Sequence, residues 1–123
     1  MIDCNGLYLA HAFPGAYEYR FSVPPGIHAM DVLFTFYPIT LTLPGFDLSI
    51  PIPLLYAKGL QSYLISFVKH GDPNVERGSG TIGWPLFGSG KAIIDITLAG
   101  FSQTSDDELP NDRCAFWQPA PYI

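Results

Sequence analysis

The sequence has little basic charge: six Lys and Arg against eleven Asp and Glu leave a net charge of −5. That balance argues against nucleic acid or an anionic membrane as a partner, because both are bound through basic surfaces. Long apolar runs are also missing. The best candidates are broken by Pro44, Pro51 and Pro53, so no transmembrane segment is expected. Met1-Ile2-Asp3-Cys4-Asn5-Gly6 has no basic n-region ahead of an apolar core, and no signal peptide is expected in these residues. Cysteine is limited to Cys4 and Cys114, without the second pair or nearby histidines that zinc needs. Their spacing leaves two readings open. They are unrelated buried thiols, or a disulfide closing a loop of about 110 residues, worth about 4–5 kcal/mol in the chain-entropy model. Charged residues reach only 14 %, few for a small independent domain with its large relative surface.

Apolar residues make up 48 % of the 123 and aromatics 15 %, including nine Phe and seven Tyr. This is globular composition for one domain, with enough apolar surface to call for a covering partner. Asp3 suits the cap of a short helix through Ala12, ended by Pro14-Gly15. Ala16–Ser22 alternates Tyr17, Tyr19 and Phe21 with Glu18 and Arg20, the pattern of a strand with one buried face. Pro24-Pro25-Gly26 then turns the chain, and an apolar run follows from Val32 to Tyr37. Residues 38–52 read as a proline-punctuated connection. A helix is predicted from about Pro53 to His70, with Tyr56, Ala57, Leu60, Tyr63, Leu64, Phe67 and Val68 as its apolar stripe. Gly71 and Pro73 stop it. After a glycine-rich loop anchored by Trp84-Pro85-Leu86-Phe87, Lys91–Leu98 reads as a strand. Ser102–Pro110 reads as an acidic loop and Asn111–Gln118 as a short terminal helix. Strand, helix and strand alternate, so the expected class is α/β.

Among three histidines, His70 is explained by the helix dipole at its C-terminal position, and His11 as a surface or packing residue. His28 differs. It follows a strand, on a Pro-Gly turn, with Asp31 three residues on, where a scaffold can present a general base. From these features alone, a structural role stays open beside the catalytic one. Gly100-Phe101-Ser102-Gln103-Thr104 imitates a nucleophile elbow, but Thr104 replaces the last glycine and an acidic loop is expected after it instead of a helix. Ser102 also follows His28, against the hydrolase chain order. No phosphate loop exists, since Pro85 stands where the first glycine before Gly90-Lys91 belongs. Asp106-Asp107-Glu108 lacks the alternation of a calcium loop.

Taken in order, these blocks resemble the C-terminal segment of the type B carboxylesterase/lipase family, which includes fungal lipases and cholinesterases. Cys4-Asn5 opens the helix before the strand Tyr17–Ser22. Pro24-Pro25-Gly26-Ile27-His28-Ala29-Met30-Asp31 resembles the family's proline turn and H-G-x-[DE] segment. Phe34–Tyr37 is similar to its next aromatic strand, and Leu60–Phe67 with Gly71-Asp72-Pro73-Asn74 to its late helix and G-[ND]-P-N turn. Trp84-Pro85 and Arg113-Cys114-Ala115-Phe116-Trp117 complete the series.

The resemblance covers nearly the whole chain and implies one partial domain, 1–123: the C-terminal part of an α/β-hydrolase fold with an incomplete central sheet. It implies that His28 is the triad histidine of a carboxylic ester hydrolase, that no cofactor or metal takes part, and that Cys4 pairs with Cys114. The disulfide favours a secreted, oxidising setting for the parent. Its serine elbow, oxyanion loop and acid are expected upstream, so the chain is expected to be inactive alone and to associate with that missing part. Asp31 is not expected to be the triad acid. Ala29 departs from the family glycine after the histidine. The competing expectation is a non-catalytic truncated remnant or small interaction protein.

Overall fold

The computed structural model describes residues 2–38 and 53–106, with residues 114 and 116. Six elements follow one another: α1 (Ile2–Ala12), β1 (Tyr19–Phe21), α2 (Met30–Thr35), α3 (Leu54–His70), β2 (Ala92–Thr97) and β3 (Gly100–Ser105). The strands form one mixed sheet in the order β1-β2-β3. β1 runs parallel to β2, with Arg20 opposite Asp95, and β2 pairs antiparallel with β3, with Asp95 opposite Ser102. A parallel pair reached through helices, covered on both faces, is a partial α/β arrangement.

One face packs on α2 and α3. Phe21 meets Phe34 edge to face at 5.0 Å, and Ile94, Ile96, Leu60 and Tyr63 lie in the same buried cluster. The other face carries Ile93, which packs with Phe87 and Cys114 against Tyr8, Ala10 and Ala16. α3 forms because Ala57, Leu60 and Tyr63 recur every third position and all are buried. It ends at Gly71, whose left-handed φ of 71° lets its N–H reach the Phe67 carbonyl at 2.7 Å. Gly59 sits mid-helix because a Cβ there would stand 2.7 Å from the Phe101 ring. The expected stripe is too long at its C-terminal end: Val68 is 84 % exposed and Phe67 45 %.

Trp84 joins the loop after α3 to the sheet. Its ring meets Tyr17, Tyr19 and Tyr63 edge to face, and its Nε1–H donates to the Glu18 carbonyl at 3.0 Å. The turn Gly71-Asp72-Pro73-Asn74 holds it there. Asp72 Oδ1 accepts from the Asn74 N–H at 2.8 Å, while the Asn74 amide bonds both the N–H and the carbonyl of Trp84. Tyr63 closes the next residues, its hydroxyl bonding both the carbonyl and the N–H of Ile82.

Three expectations are corrected. The strand that the resemblance implied over Phe34–Tyr37 is absent there: Met30–Thr35 is helical, because Met30, Leu33 and Phe34 recur at helical spacing and are buried. Gln61 caps that helix from outside, its Nε2 donating to the carbonyls of Phe34, Thr35 and Tyr37. Ser102 does not open an acidic loop. It lies inside β3, held by the ladder to β2. Asp3 is not the first residue of a cap, since α1 already includes Ile2. The expected connection over 39–52 and the end of the acidic loop lie outside the described residues, as does the terminal helix apart from Cys114 and Phe116.

Candidate active-site segment

Between two buried anchors, Val23 and Met30, six consecutive residues are exposed, and His28 is among them. The segment leaves the C-terminal end of β1, where Ser22 still bonds Ile96 at 2.8 Å. It turns at the cis Pro24–Pro25 bond and closes with the Gly26 N–H on the Val23 carbonyl at 2.9 Å. Past His28, the Met30 N–H reaches the Ile27 carbonyl at 3.2 Å and α2 begins. The histidine is thus carried on a short strand-to-helix link fixed at both ends.

Ala29, next to it, has φ 68° and ψ 12° and stands at the N-cap of α2 with no side-chain cap hydrogen bond. An L-residue in this left-handed region is disfavoured by about 1–2 kcal/mol. Glycine removes that strain but has more freedom to lose on folding, worth roughly 0.5–1 kcal/mol. Ala29→Gly is therefore expected to stabilise the chain by about 0.5–1 kcal/mol. A rise in the urea midpoint at unchanged slope checks this, and a fall would refute the strain.

Asp31 faces elsewhere. Its Oδ2 accepts from the Tyr19 hydroxyl at 2.6 Å, tying the first turn of α2 to β1. Burial, followed by that hydrogen bond and the carboxylate charge, pushes the Tyr19 hydroxyl well above its ordinary value. Ser102 is exposed in mid-strand opposite Asp95, so it does not occupy a strand-to-helix elbow. Asp95 is committed to Arg20 Nη2 at 2.8 Å and to the Ser22 hydroxyl at 2.6 Å. Burial opposes its ionisation, yet those two hydrogen bonds outweigh burial and hold the carboxyl below its usual range. His70 Nε2 lies 2.9 Å from Glu76, and the His11 ring packs edge-on to Phe87 at 5.4 Å. Cys114 is buried and is not a free thiol, while the side chain of Cys4 lies outside the described residues. No group of three or more His, Cys, Asp or Glu is placed to hold a metal among the described residues.

Glu18 is a titrating group the sequence did not single out, because it reads as the polar face of a strand. Its Oε2 is buried without a hydrogen-bond partner, and its Oε1 lies 3.2 Å from where a Cβ on Gly6 would stand. Burial, then the Asp106 charge, raises its pKa. A carboxyl with a raised folded-state pKa favours the fold below its unfolded pKa, and that contribution fades as pH rises through the folded value. Glu18→Gln should accordingly raise the melting temperature at pH 7, with the gain shrinking as the pH falls through the carboxylate range. A melting series from pH 3 to 8 tests it, and a gain independent of pH would rule out the charge as its cause.

Alone, an exposed imidazole can move a proton only if a nucleophile is brought to it, and no described residue hydrogen-bonds the His28 ring. No family model matches the chain. It is 32 % identical over 118 residues to the carboxylesterase patB of Aspergillus clavatus, covering 94 % of this chain and 19 % of that protein. With the carboxylesterase patB of Penicillium expansum it shares 32 % over 122 residues, 97 % of this chain and 20 % of that one. The crystal structure of Aspergillus niger EstA matches with a TM-score of 0.71 at 21 % identity, over 93 % of this chain and 25 % of EstA, a likeness of fold. The chain spans about a fifth of the length of the patB relatives it matches.

Proposed function

The chain resembles a C-terminal segment of the carboxylesterases, and on that premise we propose that it supplies the catalytic histidine, His28, to a carboxylic ester hydrolase. The observation that carries this reading is the placement of His28, exposed on a fixed link from the end of a parallel strand to a helix. His28 takes the proton of an attacking serine and returns it to the departing alcohol of the ester. Serine, oxyanion hole and acid come from the part of the parent that this chain does not span. That part also sets acyl specificity, and it covers exposed rings such as Phe36. No cofactor enters the chemistry.

A disulfide between Cys4 and Cys114 belongs to the same reading. It would fasten the first turn of α1 to the Phe87–Ile93 face of the sheet and suits a secreted parent. Non-reducing peptide mapping should recover the two cysteine peptides linked. The enzymatic reading is tested by grafting these 123 residues onto the upstream four fifths of A. clavatus patB, in place of the segment they match, and assaying p-nitrophenyl butyrate. Turnover by the folded chimera supports the reading, and a folded chimera without turnover removes it.

A further inference from the structure

The rings around Trp84 do not fill the space between α3 and the start of β1. Tyr17, Tyr19, Tyr63, Leu64, Phe67 and Trp84 line a cavity of about 190 Å³, and His28 is not among its walls. Three of the four polar tips on those walls are held by hydrogen bonds within the chain. The Tyr19 hydroxyl donates to Asp31, the Tyr63 hydroxyl is held by the Ile82 backbone, and Trp84 Nε1–H donates to the Glu18 carbonyl. Burial, then the nearby Asp72 carboxylate, raises the pKa of the Tyr17 hydroxyl. What faces the cavity is mostly ring carbon and aliphatic carbon. Water needs two to four polar partners to settle in such a space, whereas apolar cavities of about 150 Å³ hold benzene.

Access is also present. Tyr17 and Phe67 are shared with a wider cleft of about 590 Å³ that Leu9 and Phe13 of the α1 end help to line. Phe67 is near the end of α3 and 45 % exposed, so it stands at the edge of the cavity and outside the buried core.

We propose that this cavity is a binding site for a single uncharged aromatic ring, entering between Tyr17 and Phe67. Wall rings already set at interplanar angles of 75–85° offer edges and faces to a guest ring, the arrangement aromatic pairs prefer. A carboxylate of the same size finds no counter-charge on these walls and meets the negative faces of the rings. Its desolvation would go uncompensated.

The test is a titration of the ¹⁵N-labelled chain with toluene, following the indole N–H resonance of Trp84. A saturable shift is expected, and benzoate at equal concentration should give none. Leu64→Trp, which fills the cavity, should weaken toluene binding about tenfold or more, while exposed Val68→Ala should leave it unchanged. Should Leu64→Trp fail to fold by circular dichroism, Leu64→Phe is the filled variant to use. A shift that never saturates up to the solubility of toluene, one that persists at full strength in a folded filled variant, or equal binding of benzoate would each overturn the site.

Discussion

In the patB chimera, His28→Ala is expected to lower kcat/KM for p-nitrophenyl butyrate by about 10⁴-fold or more. The 123 residues alone should show no turnover above a buffer blank. Both results follow from one argument. Removing a member of a triad costs nearly as much as removing all of it, because the remaining members have no proton path. On the proposed reading the isolated segment is in the complementary position: it would bring the base, and no described residue offers it a positioned nucleophile. Ser102→Ala should leave the chimera's rate within error, since Ser102 lies in mid-strand opposite Asp95. The comparison is read from steady-state rates on chimeras of matched circular dichroism. A His28→Ala loss smaller than tenfold would mean that another group carries the proton. Turnover by the isolated chain that vanishes with both His28→Ala and Ser102→Ala would make Ser102 a nucleophile after all.

The largest expected effect on stability is that of Trp84→Ala, a loss of about 3–5 kcal/mol. The indole is the ring that Tyr17, Tyr19 and Tyr63 share, and its N–H satisfies the Glu18 carbonyl just before β1. Deleting it enlarges an existing cavity and leaves that carbonyl only the longer bond from the Ile94 N–H, at 3.3 Å. The loss is a large part of the roughly 5–15 kcal/mol that holds a single domain together, so the urea midpoint of the variant should fall steeply. Trp84→Phe keeps an aromatic ring and removes the N–H; it should cost less, about 1–3 kcal/mol. Urea unfolding of the three proteins, followed by far-ultraviolet circular dichroism, gives both numbers. A Trp84→Ala loss below 1 kcal/mol would show that the tyrosines close over the gap, and that Trp84 is not the joint between loop and sheet.

How much of this was legible in the sequence depends on which force places each element. α3 was readable because its buried positions recur at helical spacing and a Gly-x-Pro stop follows; only its last turn misled, since apolar Phe67 and Val68 extend beyond the surface they were expected to cover. β2 was readable as an apolar run. β3 was not: Ser102, Gln103 and Thr104 have no apolar alternation, and its strand character comes from pairing with β2 after a turn that needs Gly100 at φ 119°. α2 was misread because its aromatics suggest a strand, while its helical form is fixed by Phe21 beneath it and Gln61 at its end. Such tertiary contacts have no local signal. At the candidate site, the turn before His28 was legible from its prolines and glycine. The left-handed Ala29 and the Tyr19–Asp31 bond were not, because one residue departs from the usual glycine and the other pair is twelve positions apart.

The parallel pairing of β1 with β2 has a consequence for the order in which the protein assembles. Arg20 and Asp95 are 75 residues apart in sequence, whereas β2 and β3 are joined by a turn of two residues. Closing a short hairpin takes microseconds, and bringing distant strands together costs loop entropy before any contact offsets it. The β2–β3 hairpin and α3 are therefore the local nuclei, and β1 with its histidine link docks onto them late. During synthesis, β1 leaves the ribosome with Tyr17, Tyr19 and Phe21 uncovered and waits until β2 has emerged. A chaperone that holds exposed aromatic strands would meet this segment in that interval, before the turn bearing His28 has a scaffold to stand on.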